Sequence, residues 1–305
     1  MAAPASRPSG ARKESGRPAP DGSPHAESRR ETAGRLLLFA LAVPFFITVT
    51  LLLPGHRHLA LAVSTMVATA FAAHEVVRLM LGATRNRFGD GVAIAASAGV
   101  PAVTWLQIAG VADEHALVGY LAGSAAVLLV VSTVPSGRPA SEPLRERASA
   151  ALLVLLYPGL LVSYVVRIAS LDHAGQALLA LFILVFGTDI AGYVVGRLTR
   201  ARPWGLPVSP NKTAAGFAGS LIMALILGVA VTRLFPLAVP FGPAAALGLG
   251  AAVGTATIAG DLVESGLKRA AAVKHSGRHI PGRGGVMDSI DSILLGAPVF
   301  YAVVA

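Results

Sequence analysis

Carboxylates near the ends of apolar segments are the residues of this sequence best suited to chemistry. Asp261 closes one apolar segment, Asp288 opens the next, and Asp291 lies three residues further on, on the same helical face. Acids in such positions are costly in a membrane unless they are paired, hydrated or bound to a cation. Carboxylate oxygens suit Mg²⁺, which is usually shared with substrate phosphates. We therefore predict a cation and phosphate site, with Asp261 and Asp288 as metal ligands.

Two basic connections beside these acids supply the opposite charge. The first precedes a helix whose N-terminal amides favour anions, and the second ends in the glycine-rich run 281–285, where amides can approach an oxyanion closely. Their candidate phosphate-binding residues are Ser209, Lys212 and Thr213 in the first and Lys268, Arg269 and Lys274 in the second. A solvated basic loop that touches anionic headgroups explains either connection equally well on its own.

Two further acids, Glu75 and Asp189, lie inside apolar segments. Each falls about two helical turns, roughly 10 Å, from the end of its segment. Arg78 follows Glu75 by three residues, so the simpler interpretation of Glu75 is an ion pair with a nearby arginine or a helix cap. The histidines, including His275 and His279, have no metal-ligand spacing and are interpreted as surface residues.

The composition argues against a water-soluble globule. Hydrophobic residues make up 54% of the 305 and charged residues 13%, against about a quarter charged in soluble proteins. Because there is no cysteine, disulfides and thiolate chemistry are excluded. The net charge of +9 could indicate nucleic acid, but basic residues beside apolar segments are more typical of membrane orientation and contact with anionic lipid. We expect membrane lipids, and no nucleic acid, as partners.

The apolar segments predict an all-α, polytopic transmembrane helical bundle. Each is long enough for the roughly 20 residues that cross a bilayer. We place about nine spans, at 35–53, 58–81, 91–110, 116–135, 148–169, 175–196, 214–234, 239–262 and 285–305. Most of the 25 Lys and Arg residues fall in the tail and in alternate connections, which predicts an N-terminus inside the cell.

The same pattern divides the chain into three regions. Residues 1–34 are rich in Pro, Ser, Gly and charge, and we expect a disordered cytoplasmic tail. Residues 35–147 would form N-terminal transmembrane helices, and residues 148–305 the catalytic transmembrane region. With the N-terminus inside, the polar connections at 197–213 and 263–284 face the cytoplasm, so chemistry is expected on that face.

The second half of the chain resembles the phosphatidate cytidylyltransferase family. The family's long signature is matched by Ser265-Gly-Leu-Lys268-Arg269-x4-Lys274 and by Pro281-Gly282-x-Gly284-Gly285-x-x-Asp288-x-x-Asp291. Further matches are Thr188-Asp189-x-Ala191-x-Tyr193-x-x-Gly196-Arg197, Ser209-Pro210-x-Lys212-Thr213-x-x-Gly216 and Gly260-Asp261-Leu262. The likeness covers about residues 150–305, with a weaker echo around Glu75.

Four polar or ionisable positions depart from the family pattern. Ala215 stands where the family usually has Glu, His275 replaces an Asp, Arg283 a His and Ser289 an Arg. The residues most simply assigned to metal and phosphates are retained.

The resemblance implies transfer of a cytidylyl group from CTP to phosphatidic acid, giving CDP-diacylglycerol and pyrophosphate. It implies Mg²⁺ on Asp261 and Asp288, with Asp291 as a further carboxylate, and phosphates neutralised by Lys212, Lys268, Arg269 and Lys274. Ser209 and Thr213 would donate hydrogen bonds, and Asp189 would line the nucleotide pocket or a polar cavity. A homodimer and a multi-pass location in the inner (plasma) membrane also follow from the resemblance.

Three alternatives stay open. A catalytically degenerate family member could bind lipid or nucleotide without turnover, and the four substitutions are the reason to consider it. An enzyme of the same chemistry could act on another lipid phosphate, since no feature reads acyl chains. A transporter would predict inverted repeats and interrupted midplane helices, and the sequence has no internal repeat.

Overall fold

The computed structural model describes residues 55–82, 87–134, 144–280 and 284–305, together with Thr48, Thr50 and Leu53. Within this part of the chain the protein is all-helical, with only isolated β-bridges and no strand. Eight helices are long and apolar enough to cross a membrane. They are α1 (Gly55–Leu81), α2 (Phe88–Ile108, with Arg87 in its first turn), α3 (Ala116–Thr133), α4 (Leu144–Ile168), α5 (Ala174–Leu198), α6 (Ala214–Leu234), α7 (Pro243–Ala270) and α8 (Met287–Val304).

The all-helical transmembrane prediction is confirmed, and eight of the predicted spans coincide with these helices. The predicted first span, 35–53, and the tail, 1–34, lie almost wholly outside the described residues. The largest difference concerns α7, which the sequence predicts to end near 262 but which continues to Ala270. The helix accommodates the extra charges because Lys268 pairs with Glu264 one turn earlier.

Glycines form the seams along which α5, α6, α7 and α8 pack. A Cβ at Gly228 of α6 would lie 2.8 Å from the Cα of Gly250 on α7, and a Cβ at Gly260 of α7 would lie 3.3 Å from the Cα of Ser292 on α8. Small residues let transmembrane helices approach closely where the apolar solvent gives no hydrophobic driving force. The seam between α7 and α8 brings Asp261 and Asp288 to the same end of the bundle.

Helix α8 also packs against the N-terminal helices. Its Met287 and Leu294 are fully buried in an apolar cluster with Val76 of α1, Leu128 of α3 and Leu155 of α4. A second cluster joins Phe300, further along α8, to Leu181 of α5. Helix α8 therefore packs against both halves of the chain.

A π-helical turn, Leu155–Leu160, interrupts α4 at Pro158. Proline has no N–H, so it cannot donate to the carbonyl of Val154. The hydroxyl of Ser97 on α2 donates to that carbonyl at 2.8 Å instead. The widened turn leaves the ring of Tyr157 buried inside the bundle.

The glycine seam between α6 and α7 gives a direct test of this packing. In the Gly250→Ala variant the new methyl group would overlap the backbone of Ala224 and lie 3.0 Å from the Cα of Leu225, so we expect a loss of about 1–3 kcal/mol in unfolding free energy. Thermal unfolding in detergent measures it.

The matched control is Gly248→Ala, two residues away on the same helix, where nothing lies within 4 Å of the added Cβ. It should be neutral or slightly stabilising, because Ala is the better helix former. Equal effects of the two variants would contradict a tight seam.

Candidate functional site

Lys212 and Asp261 form the first ion pair at the end of the bundle where α6 begins and α7 ends. The ammonium of Lys212 contacts Oδ2 of Asp261, and both side chains are partly buried. The preceding loop holds the lysine, since Trp204 N donates to Lys212 O at 2.7 Å. Thr213 then caps α6 by accepting a hydrogen bond from Gly216 N at 3.0 Å.

A second ion-pair group lies one turn further along α7. The ammonium of Lys268 contacts Oε2 of Glu264 and lies 2.6 Å from Oδ1 of Asp288, linking α7 to the first turn of α8. Glu264 is fully buried. Because Asp261 and Glu264 are three residues apart, they share a face of α7. Two lysines and three carboxylates thus meet at one end of the bundle.

The other oxygen of Asp288 is held by the loop between α7 and α8. Oδ2 accepts hydrogen bonds from Ser276 N (3.0 Å) and Gly285 N (2.8 Å) and lies 3.1 Å from Ser276 Oγ. Gly284 adopts φ +117°, and a Cβ there would lie 2.6 Å from the same oxygen. Only glycine combines that backbone angle with so close an approach.

Glu75 of α1 is the second carboxylate that this loop surrounds. Its Oε1 accepts from Val286 N at 2.9 Å and lies 2.6 Å from His279 Nδ1. Its Oε2 accepts from Met287 N at 2.9 Å and Ser276 Oγ at 2.7 Å. Glu75 is fully buried, whereas Arg78 is exposed. The Arg78 pairing that the sequence suggested is wrong because the loop supplies the donors instead.

The glycines of the loop make room for these two carboxylates. A Cβ on Gly277 would lie 2.8 Å from the carboxyl carbon of Glu75, and one on Gly285 would lie 2.6 Å from it. The sequence predicts that the glycine-rich run 281–285 lets amides approach an oxyanion, and for a substrate phosphate this stays a prediction. The amides of Gly285, Val286 and Met287 approach the protein's own carboxylates.

The remaining predicted site residues lie around this centre. Asp291 is buried in the first turns of α8, where a Cβ on Gly260 would lie 3.3 Å from its carbonyl carbon. Asp189 is half-buried on α5, and Ser209 lies in the loop before α6. Arg269 is exposed and donates to Val273 O at 3.4 Å, and Lys274 is exposed in the following loop.

The carboxylates could hold a hard cation, although the described ranges contain no ready cluster of three or more His, Asp or Glu ligands. Neither oxygen of buried Glu264 has a hydrogen-bond partner within those ranges, and its contact with Lys268 is an ion pair. The hydroxyl of Tyr157 likewise lacks a partner there, and Asp261, Glu264 and Asp291 act on it electrostatically. Oxygen ligands of this kind fit Mg²⁺ when substrate phosphates complete the coordination.

Sequence reasoning missed three members of this centre. Glu264 had a usable signal, its spacing of three from Asp261 and four from Lys268. Ser276 had none, since nothing local marks a buried serine in a basic loop. His279 is exposed, as interpreted, but sequence reasoning did not find its pairing with Glu75.

Two of the four substituted positions lie close to Asp288. His275 Nδ1 is 3.9 Å from Asp288 Oδ2, so the substitution puts a chargeable base where a second acid would repel that carboxylate. Ser289 Oγ donates to Gly285 O at 3.4 Å. Ala215 lies half-buried in the first turn of α6, and Arg283 falls outside the described residues.

Comparison with known proteins shows the family of this chain. The model of the cytidylyltransferase family matches residues 34–305, and the chain belongs to that family. It is 30% identical over 301 residues to the phosphatidate cytidylyltransferase of Mycobacterium bovis, covering 92% of this chain and 91% of that protein.

Two further similar proteins match over a shorter range. The phosphatidate cytidylyltransferase of Bacillus subtilis is 35% identical over 154 residues, and that of Mycobacterium leprae is 34% identical over 166 residues. These matches cover 50% and 54% of this chain, and the chain spans about half the length of each relative, 56% and 52%.

The ion pair on Lys268 can be tested through stability. In the Lys268→Met variant two buried carboxylates lose their shared cation, so we expect a loss of about 3 kcal/mol in unfolding free energy. Thermal unfolding in detergent, calibrated with denaturant, measures it. Adding Glu264→Gln should recover part of the loss, because contacting residues are energetically coupled.

Arg145→Met is the control for loss of a surface cation, since the Arg145 side chain is 87% exposed. It should stay within about 0.5 kcal/mol of wild type. Additive effects of Lys268→Met and Glu264→Gln would contradict the coupling.

Proposed function

We propose that this protein is a phosphatidate cytidylyltransferase, which converts CTP and phosphatidic acid to CDP-diacylglycerol and pyrophosphate. The observation that carries the proposal is the pair of lysine–carboxylate groups, Lys212–Asp261 and Glu264–Lys268–Asp288, at one end of an apolar bundle. Membership of the cytidylyltransferase family and the similar proteins named phosphatidate cytidylyltransferase support the choice of reaction.

The chemistry requires alignment and charge compensation more than covalent catalysis. An oxygen of the lipid phosphate attacks the α-phosphorus of CTP, the bond from that phosphorus to the bridging oxygen breaks, and pyrophosphate leaves with the electron pair. No intermediate on the protein is needed. Preorganised positive charge stabilises such transfers, and Lys212 and Lys268 are placed to provide it, with Arg269 and Lys274 at the periphery.

Asp261 and Asp288 would hold Mg²⁺, with Glu264 and Asp291 beside them. The bound ion would neutralise charge on the phosphates. The protein's own part is to keep these carboxylates fixed: Asp288 by Ser276 and Gly285, and Asp261 by Lys212. Ser209 and Thr213 would donate hydrogen bonds to the substrate, and Asp189 would line the nucleotide pocket.

The membrane setting suits a lipid phosphate and a soluble nucleotide. We place the site on the cytoplasmic face of the inner membrane, because the connections that carry Lys212 and Lys274 are rich in Lys and Arg. Phosphatidic acid would then keep its chains in the bilayer while CTP arrives from the cytoplasm. Residues 148–305 would form the catalytic region.

The first test is formation of CDP-diacylglycerol from phosphatidic acid and labelled CTP by the purified protein in detergent. We expect product that requires Mg²⁺ and disappears with EDTA. Asp288→Asn should lower the rate by about 100-fold or more, because a charge at the reacting phosphates is lost.

Asp172→Asn is the matched control, since Asp172 is exposed in the connection between α4 and α5, at the other end of the bundle. It should keep the wild-type rate. Nucleotide binding without product from any lipid phosphate would instead support a non-catalytic family member. Product from another lipid phosphate alone would identify that lipid, and not phosphatidic acid, as the substrate.

A further inference from the structure

One buried carboxylate with partners on both of its oxygens lies outside the residues assigned to the reaction. Glu75 belongs to α1, some 200 positions before the loop that it contacts. Each of its oxygens takes one side-chain and one backbone partner, from Ser276, His279, Val286 and Met287. The two backbone amides can only donate, and Ser276 and His279 can also serve as donors, an arrangement that suits a carboxylate.

Two of those donors are the first backbone amides of α8. Val286 is the residue that precedes the helix and Met287 is its first member. Helix N-termini carry unsatisfied N–H groups and a partial positive charge, which a carboxylate stabilises. The side chain of Val286, at the N-cap position, makes no capping hydrogen bond. Glu75 therefore supplies from another helix the cap that α8 lacks.

Asp288 lies one residue beyond the amides that Glu75 holds. Ser276 connects the two acids, with its hydroxyl 2.7 Å from Oε2 of Glu75 and 3.1 Å from Oδ2 of Asp288. Its own amide and that of Gly285 donate to Asp288. The position of Asp288 thus depends on a loop whose other side is attached to Glu75.

Aromatic contacts strengthen the attachment on the α1 side. The ring of His279 packs edge-on against Phe71, with centroids 5.2 Å apart, and against His74, at 6.2 Å. Phe71 lies one turn before Glu75, and His74 lies one residue before it. The imidazole of His279 therefore contacts the face of α1 that carries Glu75.

We propose that Glu75 is a positioning residue for the reaction: it anchors the described parts of the connection between α7 and α8, residues 271–280 and 284–286, and the start of α8, so that Asp288 keeps the geometry needed for phosphate chemistry. This inference rests on the proposed function for its effect on rate, whereas the anchoring itself is independent of any activity. A shift of about 1 Å at a reacting group can cost about 100-fold in rate. Residues that orient the groups directly bound to a metal typically contribute 10- to 100-fold.

The test variant is Glu75→Gln, which keeps the shape of the side chain. It replaces one carboxylate oxygen, an acceptor, with an NH₂ group, which would face two donors. We expect kcat for CDP-diacylglycerol formation, per folded molecule, to fall about 10- to 100-fold, with a smaller change in KM for CTP. The thermal midpoint should fall much less than that of Lys268→Met. A purely structural role would lower the folded yield and leave kcat per folded molecule unchanged, which would overturn the proposal.

A second readout needs no activity. Lys274 and Arg278 are trypsin sites within the loop, and cleavage of a loop follows the population of its open form when opening is fast. Limited trypsinolysis of Glu75→Gln in detergent should cut there about tenfold faster than in wild type. Unchanged cleavage would overturn the anchoring, and this holds even if wild type makes no CDP-diacylglycerol and the proposed function itself fails.

Glu114→Gln is the matched control, because the Glu114 side chain is 88% exposed in the connection between α2 and α3, at the other end of the bundle. It should match wild type in kcat and in loop cleavage. If Glu75→Gln gives no folded protein, His279→Leu removes one of the four contacts and should shift both readouts in the same direction by a smaller factor. No shift in either would overturn the proposal.

Discussion

Two buried carboxylates at one end of an apolar bundle are the constraint around which this site is organised. Glu75 is fully buried and Asp288 nearly so, and an ionised carboxylate removed from water is tolerated only when it is hydrogen-bonded and paired. Neither helix that bears them can supply enough donors. The loop between α7 and α8 therefore provides them, through the amides of Ser276, Gly285, Val286 and Met287.

That requirement explains the composition of the loop. Its glycines at 277, 284 and 285 are positions where a Cβ would meet Glu75 or Asp288. A glycine-rich run beside lysines suggests a phosphate-binding loop, and the donor chemistry is the same. In this structure, however, the amides of Ser276, Gly285, Val286 and Met287 already donate to the protein's own carboxylates. The phosphates of a substrate would instead depend on side-chain cations, of which Lys212 and Lys268 are the most enclosed.

The sequence predicts the fold well because hydrophobic length and charge are local properties. These two properties predict eight of the spans. They also predict that Lys212, Asp261, Lys268 and Asp288 lie at the same end of the bundle. The partner of Glu75 could not be predicted, since Arg78 is near in sequence whereas Ser276 and His279 are near only after α1 packs against α8. The end of α7 could not be predicted either. The charged residues after Asp261 indicate a loop, and only the structure shows that the charges of Glu264, Lys268 and Asp288 compensate one another.

The ion pairs also bear on how the site accepts its substrates. In this arrangement Lys212 is paired with Asp261, and Lys268 is shared between Glu264 and Asp288. A phosphate that takes a lysine leaves a carboxylate in need of a new cation, because an uncompensated charge in a low-dielectric environment is costly. The binding of a phosphate and the binding of a cation would therefore be coupled. The coupling needs no moving domain, only lysine side chains that exchange partners while the loop anchored by Glu75 keeps Asp288 in place.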